Sequence, residues 1–513
     1  MRLFPNNTRR MRIRLVEAAA LLAAMAMIAG CGDNFRPIVT PITPSGPAPQ
    51  PTSYAVVVSR PSASTGIATI LDYSGDSVMA QAVIGPGPGA FTIDKGGFTG
   101  YTLNSDGTIS NFPISTTLQQ KQVTYSTVPS TAKIVNLMAP SAGLWATDLS
   151  NDSVDLFQSS PETFKLSIPV QANPVFVAGS GSTAGQREYV VSLGFSDPTG
   201  VACNVAPASA SATGFATPVE TSTNATDTPI AVGKCPVFAV PSSDQKRLFV
   251  LNRGSDTISV INTENNSLDQ CTPFTNQSGQ TVTCHPTLPL SQAALTPQNA
   301  PPNCNLTTNP TCGLPPVAGP VYAEYNSATH QIVVSNYDGD TVTVIDVGLD
   351  IYGNDSPTFG TSYTIPVGHH PASVTVLQDG SRAYTADQGD SASTNGTVSV
   401  VNLVSHTLEK TLDVVGHPRT VVSTQNSIFG KVYVASPDSP YLTILQTTSD
   451  LIDTTVLIEG NVVDVRTTTS NGNSGSNNNY SSRVPGYGQP CNLPGLPTPT
   501  GTQTQLQACQ AIP

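Results

Sequence analysis

An all-β fold is predicted for this 513-residue chain, on three observations. After residue 30 no long stretch repeats apolar residues at the 3.6-residue spacing of a helix; they come in short, alternating, β-branched runs. The 41 glycines and 44 prolines that separate these runs imply many short elements, while falling short of a composition that argues disorder throughout. A strand, turn, strand pattern then recurs along the chain, clearest at Leu248–Asn262 and Ile332–Asp346. Charged residues make up only 11%, against about 25% in an average domain. The net charge of −12 would repel a phosphate backbone, so a nucleic-acid partner is excluded.

The first element is a targeting segment at 1–30. Arg2, Arg9, Arg10, Arg12 and Arg14 precede an apolar, small-residue run from Ala18 to Ala29, the order of a secretory signal peptide. The run is too short to span a bilayer, which takes about 20 residues. Its end, Ile28-Ala29-Gly30-Cys31, resembles the lipobox of bacterial lipoproteins. That resemblance implies cleavage before Cys31 and acylation of the cysteine, with more than one chain giving stable anchoring. Gly32, where an aspartate would signal inner-membrane retention, points to the outer membrane or cell surface. Cleavage removes five arginines and Glu17, so the 22 basic and 34 acidic side chains fall to 17 and 33. Residues 31–53, with six prolines between Pro37 and Pro51, are expected to form a stiff spacer after the lipidated cysteine.

The second element, 54–468, carries the repeat. Beside the two clear copies, weaker ones begin near Tyr54, Gly97, Gly143, Glu188, Arg382 and Lys431, eight units in all. Most spacings suit a propeller blade, of about 40 to 50 residues. A second signature falls between units: Gly85-Pro-Gly-Pro88, Gln171-Ala-Asn-Pro174, Gly233-Lys-Cys-Pro236, Gly368-His-His-Pro371 and Gly416-His-Pro418. Glycine ends an outer strand, and proline starts the next inner strand where no ladder donor is needed. Each unit then reads as strands B, C and D of one blade followed by strand A of the next. Asn461–Arg466 could close the ring as strand A of the first blade. The fold class is therefore a single β-propeller of four-stranded blades, in preference to a pair of sandwiches, which need no regular period. Leu248–Asn262, Ile332–Asp346, Lys431–Ala435 and the glycine-x-x-proline junctions resemble the YVTN-repeat propellers of exported and surface proteins, in which seven blades are more usual than eight.

Eight cysteines remain after Cys31: Cys203, Cys235, Cys271, Cys284, Cys304, Cys312, Cys491 and Cys509. An even number in an exported chain suggests disulfides, and neighbour pairing closes the smallest loops. No Cys-x-x-Cys occurs, which argues against thiolate-bound zinc or haem. The insertion 264–318 and the segment 201–229, rich in Thr, Asn, Pro and Ser, are expected to be surface loops. Residues 469–513 read as a low-complexity tail.

In a propeller, the D-to-A junctions and B-to-C turns share one face, around the mouth of the central channel. His369, His370 and His417 stand on two successive junctions, Lys234 holds the equivalent place in an earlier one, and His330 belongs to the opposite face. Asp106, Asp152, Asp256 and Asp340 recur just before strand C. Imidazoles with Asp340 at this mouth are candidate ligands for a metal ion, or an acid and base. The ordinary role of such aspartates is to hydrogen-bond their own turns. Gly-x-Ser-x-Gly, His-Glu-x-x-His and Walker motifs are absent. The expected function is a lipid-anchored binding or interaction module for a protein or glycan at the cell envelope. The alternatives are a channel-mouth enzyme, lactonase-like or a metal-dependent hydrolase, and a structural envelope component.

Overall fold

The computed structural model describes residues 53–468, apart from short segments at 140–142, 159–162, 183–184, 197–202, 204–211, 276–278, 280 and 391–392. Cys31, the spacer to residue 52, and the tail with Cys491 and Cys509 lie outside the described residues. The strands form eight large antiparallel sheets and one small ribbon, Phe274–Thr275 with Thr281–Val282.

Blade 1 is Asn461–Thr467, Tyr54–Ser62, Thr65–Asp72 and Val78–Ile84, in order from strand A to strand D. Blade 2 is Phe91–Ile93, Thr99–Leu103, Thr108–Pro113 and Thr124–Thr127; blade 3 is Ile134–Met138, Leu144–Asp148, Ser153–Gln158 and Thr163–Pro169. Blade 4 starts with Pro174–Ser182, Gly185–Ser192 and Phe215–Glu220, and blade 5 with Pro236–Pro241, Arg247–Asn252 and Thr257–Asn262. Blade 6 is Pro320–Asn326, Gln331–Asn336, Thr341–Asp346 and Ser362–Pro366; blade 7 is Pro371–Val376, Arg382–Asp387, Gly396–Asn402 and Thr407–Val414. Blade 8 is Thr420–Ser423, Lys431–Ala435, Tyr441–Gln446 and Leu451–Leu457.

The A strands of successive blades pack on one another in a complete circuit, and that of blade 1 meets those of blades 8 and 2. The molecule is thus an eight-bladed β-propeller. Its closure is the one read from the sequence: Asn461–Thr467 pairs antiparallel with Tyr54–Ser62, from Ala55 opposite Thr467 to Arg60 opposite Asn461. Blade faces bury apolar side chains against their neighbours. The rings of Phe176, Phe238 and Tyr322, on the A strands of blades 4, 5 and 6, stand 4.5 and 4.6 Å apart in sequence.

The repeat has a hydrogen-bonding cause. The asparagine ending strand B donates from Nδ2 to two hydroxyls of strand C: Asn252 to Thr257 (3.2 Å) and Ser259 (3.0 Å), Asn336 to Thr341 (3.0 Å) and Thr343 (2.8 Å), Asn104 to Thr108 and Ser110 (both 2.8 Å). The inner hydroxyl in turn accepts the junction glycine's N–H, Ser110 from Gly85 (2.9 Å) and Ser259 from Gly233 (3.3 Å). A Cβ on Gly85 would fall 2.1 Å from Asn104 Nδ2. Glycine stands there because the neighbouring blade's asparagine occupies the space a side chain would need.

Two expectations change. The segment 201–229 is not all loop, because Phe215–Glu220 is strand C of blade 4, paired along its length with Arg187–Ser192, and Ala225–Thr226 with Ile230–Ala231 supplies a broken strand D. Its polar composition hid a strand whose ladder comes from a partner distant in sequence. The insertion 264–318 likewise contains strand D of blade 5, split into Ser267–Leu268 and Thr287–Pro289. Between the halves lies the Cys271–Cys284 loop; Cys304–Cys312 closes a second loop, and Cys203–Cys235 ties the B-to-C connection of blade 4 to the junction entering blade 5. These three are neighbour pairs. A pairing of Cys491 with Cys509 lies outside the described residues.

Only blades 2, 5 and 6 carry this asparagine; strand B ends in Ser62, Asp148, Ser192 and Ala435 in blades 1, 3, 4 and 8, and in blade 7 in Asp387, which accepts hydrogen bonds from Thr385, Thr397 and Ser399. Burial nevertheless pushes its carboxyl up to about 6. The folded chain then keeps a proton the unfolded chain releases near pH 3.8, so stability is full below that value and falls until pH passes about 6. The loss is about 3 kcal/mol. Asp387→Asn, which restores the bonding of blades 2, 5 and 6, is expected to abolish that fall, read by urea unfolding across the window. An unchanged slope would show that Asp387 is not its source.

Candidate functional site

The B-to-C turns and D-to-A junctions lie on one face, and three of the four turn aspartates serve the junction rather than their own turn. Asp152, Asp256 and Asp340 sit in the left-handed region, at φ 51°, 52° and 52°. This aims their carboxylates at the next junction, where they accept N–H bonds from Asn173 (2.8 Å), Gly319 (2.8 Å) and His370 (2.9 Å). Asp106 alone keeps the expected role, accepting from the N–H and hydroxyl of Thr108. Lys234 donates its N–H to Ser255 Oγ at 2.6 Å. His330 is on the opposite face, as the register required, with Nδ1 at 3.0 Å from the Tyr325 hydroxyl.

The histidines occupy three different environments. His369 is 62% exposed, with Nδ1 at 2.8 Å from Asp340 Oδ2. The hydrogen bond and charge of Asp340 hold this imidazole above its ordinary value, with Asp390 and Asp387 adding to the effect. His370, half-buried and itself at φ 54°, places its ring centroid 4.7 Å from that of Tyr337, and its Nδ1 lies 3.2 Å from the carbonyl of Gly389. His417 is buried: Nδ1–H donates to Asp438 Oδ2 at 2.6 Å, and Nε2–H to the Ser393 carbonyl at 3.1 Å. An acceptor on each side favours the doubly protonated, charged ring. The Asp438 hydrogen bond raises it against the opposing cost of burial.

Around these lie residues the repeat register did not single out. Arg253 pairs through Nε and Nη2 with Asp338 (2.9 and 2.6 Å) and donates to the Cys203 carbonyl at 3.3 Å. Its guanidinium carbon stands 5.5 Å from the Tyr337 ring centroid, and the Tyr337 hydroxyl donates to Gln388 at 2.9 Å. Arg253, Tyr337 and His370 therefore stack across blades 5, 6 and 7. Tyr337 and Arg253 occupy the variable positions of the turns, where no repeat pattern marks them; the acid before strand C was the one signal that could have found Asp438.

His369, His370 and His417 share the face but form no common ligand set. Both ring nitrogens of His417 are engaged by protein acceptors, and among the described residues no three His, Cys, Asp or Glu side chains are placed to hold a metal ion. What the junction face offers is directional polar recognition by one exposed imidazole, His369, oriented by Asp340; Arg253 and Tyr337 are buried and can only hold the junction in place.

No protein-family model and no curated protein matches the chain. Among solved structures it is similar to apo AztD from Citrobacter koseri, with TM-score 0.52, 11% identity, and 81% of this chain and 97% of that one covered. A second crystal structure of Citrobacter koseri AztD gives 0.51 at the same identity and coverage. Dihydro-heme d1 dehydrogenase NirN, in complex with DHE, gives 0.54 at 13% identity, covering 84% of this chain and 78% of that one. At these identities the likeness is one of fold.

His417→Ala strands the buried Asp438 carboxylate and is expected to cost about 3 kcal/mol or more. The raised imidazole gives the sign with pH. Its contribution is full below the ordinary histidine value and is lost as pH rises through the higher folded value. Denaturant unfolding at several pH values between about 6 and 9 should show wild-type stability declining across this range, and a smaller decline in the variant. Equal declines would mean that His417 is not charged in the fold.

Proposed function

We propose that the chain is an exported, lipid-anchored propeller of the YVTN-repeat kind, whose junction face binds a protein or glycan partner at the cell envelope. The observation that carries this reading is the placement of His369 and Asp340: a paired imidazole and carboxylate, exposed on a rigid junction beside the Tyr337 and Arg253 stack. Side chains held by packed elements can recognise a partner without first ordering themselves. Support for export comes from the Arg-rich start, the Ile28-Ala29-Gly30-Cys31 sequence and three disulfides, a device of oxidising compartments. Outer-membrane or surface placement follows from Gly32.

A hydrolase is the second reading, favoured by the same pair, since a carboxylate that orients an imidazole is the arrangement of a general base. Elemental analysis of the oxidised protein beside His369→Ala and His417→Ala separates the two. Equal metal content is expected; loss of a bound transition metal in the variants would favour the hydrolase. Binding is tested by cross-linking to envelope components and by glycan arrays. His369→Ala and Asp340→Asn are expected to weaken capture about tenfold or more, as for a central interface contact. Capture unchanged in both variants would remove the junction face as the binding surface.

A further inference from the structure

The face opposite the junctions carries the turns from strand A to B and from strand C to D. The six most exposed large apolar side chains of the described residues run from 65% at Leu457 to 89% at Ile351 and Phe429. Five of them, Phe98, Ile351, Val404, Ile428 and Phe429, stand at turn tips on this opposite face, on blades 2, 6, 7 and 8. Leu457 alone is at the other end of its strand. Phe429 is held outward at φ 58°, a conformation that costs a non-glycine residue, with its N–H donated to Thr448 Oγ1 at 3.1 Å. Isolated apolar residues at a surface are ordinary, but their concentration on one rim marks an interaction surface.

The same face receives both ends of the described chain. Tyr54 begins strand B of blade 1 there and Thr468 follows its strand A, with the Thr468 N–H donated to the Tyr54 carbonyl at 3.0 Å. Blade 1 lies between blades 8 and 2, so the spacer from Cys31 joins the domain inside the arc of exposed tips. The 22 residues from 32 to 53 would reach roughly 70 Å if fully extended, too long a tether to fix an orientation by itself.

We infer that this rim docks on the lipid surface, the five apolar tips entering the interface and turning the junction face away from the membrane. The inference rests on the proposed lipid anchor. Tips spread over four blades suit a broad, flat surface, where a groove-binding protein would need them side by side. The chain's net acidity argues against attraction to anionic headgroups as the holding force, so docking should not weaken in high salt, unlike that of a polybasic segment. Among the described residues no helix is long and apolar enough to cross a membrane.

The test uses the full chain, lipidated and as Cys31→Ser, with phosphatidylethanolamine–phosphatidylglycerol vesicles containing acyl-brominated lipid. Tryptophan is placed at Phe429 or, as the control, at Leu457, over the constant background of buried Trp145. Flotation of the lipidated chain and not of Cys31→Ser at low vesicle concentration reports the anchor. Quenching and a blue shift at Phe429→Trp, absent at Leu457→Trp and undiminished in high salt, support docking; on Cys31→Ser at saturating vesicles this readout holds even where the anchor reading fails. A lipidated chain that floats with neither site quenched overturns docking and leaves the anchor standing. Quenching abolished by salt, or a Phe429 site shielded instead by self-association in sedimentation, overturns it as well.

Discussion

Everything in this molecule depends on one antiparallel pairing, between Asn461–Thr467 and Tyr54–Ser62. A four-stranded blade cannot bury both of its faces, and an open row of eight would leave two apolar faces in water. Drawing strand A of blade 1 from the far end of the chain gives every blade a neighbour on each side. It also joins residues some four hundred apart in sequence, so the circuit forms only when all the blades are in register. The loop entropy of that closure is offset by the shared burial of a complete ring rather than by its own ladder.

Closure sets a geometric rule for each blade boundary, and a polar device meets it at several of them. The asparagine at the end of strand B, two hydroxyls of strand C and a junction glycine form a buried network at the boundaries before blades 2 and 5, in which the asparagine Nδ2 and the inner hydroxyl are partnered while Asn252 Oδ1 is left without a hydrogen bond among the described residues. Buried polar groups are costly unless partnered, which is why the same few residue types return at the same spacing. At the boundary before blade 7 the Ser399 hydroxyl still accepts the Gly368 N–H, but Asp387 replaces the asparagine and its burial shows in the raised carboxyl. The left-handed aspartates add a second fastening, from Asp152, Asp256 and Asp340 to the following junction. What made the fold readable in the sequence was this hydrogen bonding, repeated because each boundary poses the same problem.

The site was legible only where it borrows from that repeat. His369, His370 and His417 stand on the expected face because junction residues have no other place to be, and Asp340 meets two of them because its turn faces their junction. Their chemistry was not legible. That the His417 imidazole is raised above its ordinary value depends on Asp438 and the Ser393 carbonyl, both in turns whose lengths differ from blade to blade. The stack of Arg253, Tyr337 and His370 joins three blades through positions the repeat leaves free. Strand C of blade 4 escaped notice for a related reason: Phe215–Glu220 holds Pro218 and polar residues, and its identity as a strand comes from its partner.

The same alternation gives the disc two unlike faces. Junctions and B-to-C turns are bound into the blade boundaries by hydrogen bonds, and the exposed imidazole of His369 is fixed in direction by Asp340. The opposite turns also fasten blades, Arg247 of blade 5 to Gly353 and Asp355 of blade 6 and Arg382 of blade 7 to Ser427 and Asp450 of blade 8, but through backbone and charged groups that leave the tips themselves outward, Ile351 and Phe429 among them. Because each strand begins on one face and ends on the other, a chain that closes its ring with a last strand A must bring both ends out beside those tips. Under the proposed anchoring, the topology that completes the fold also attaches the tether on the apolar side and leaves the polar side for a partner.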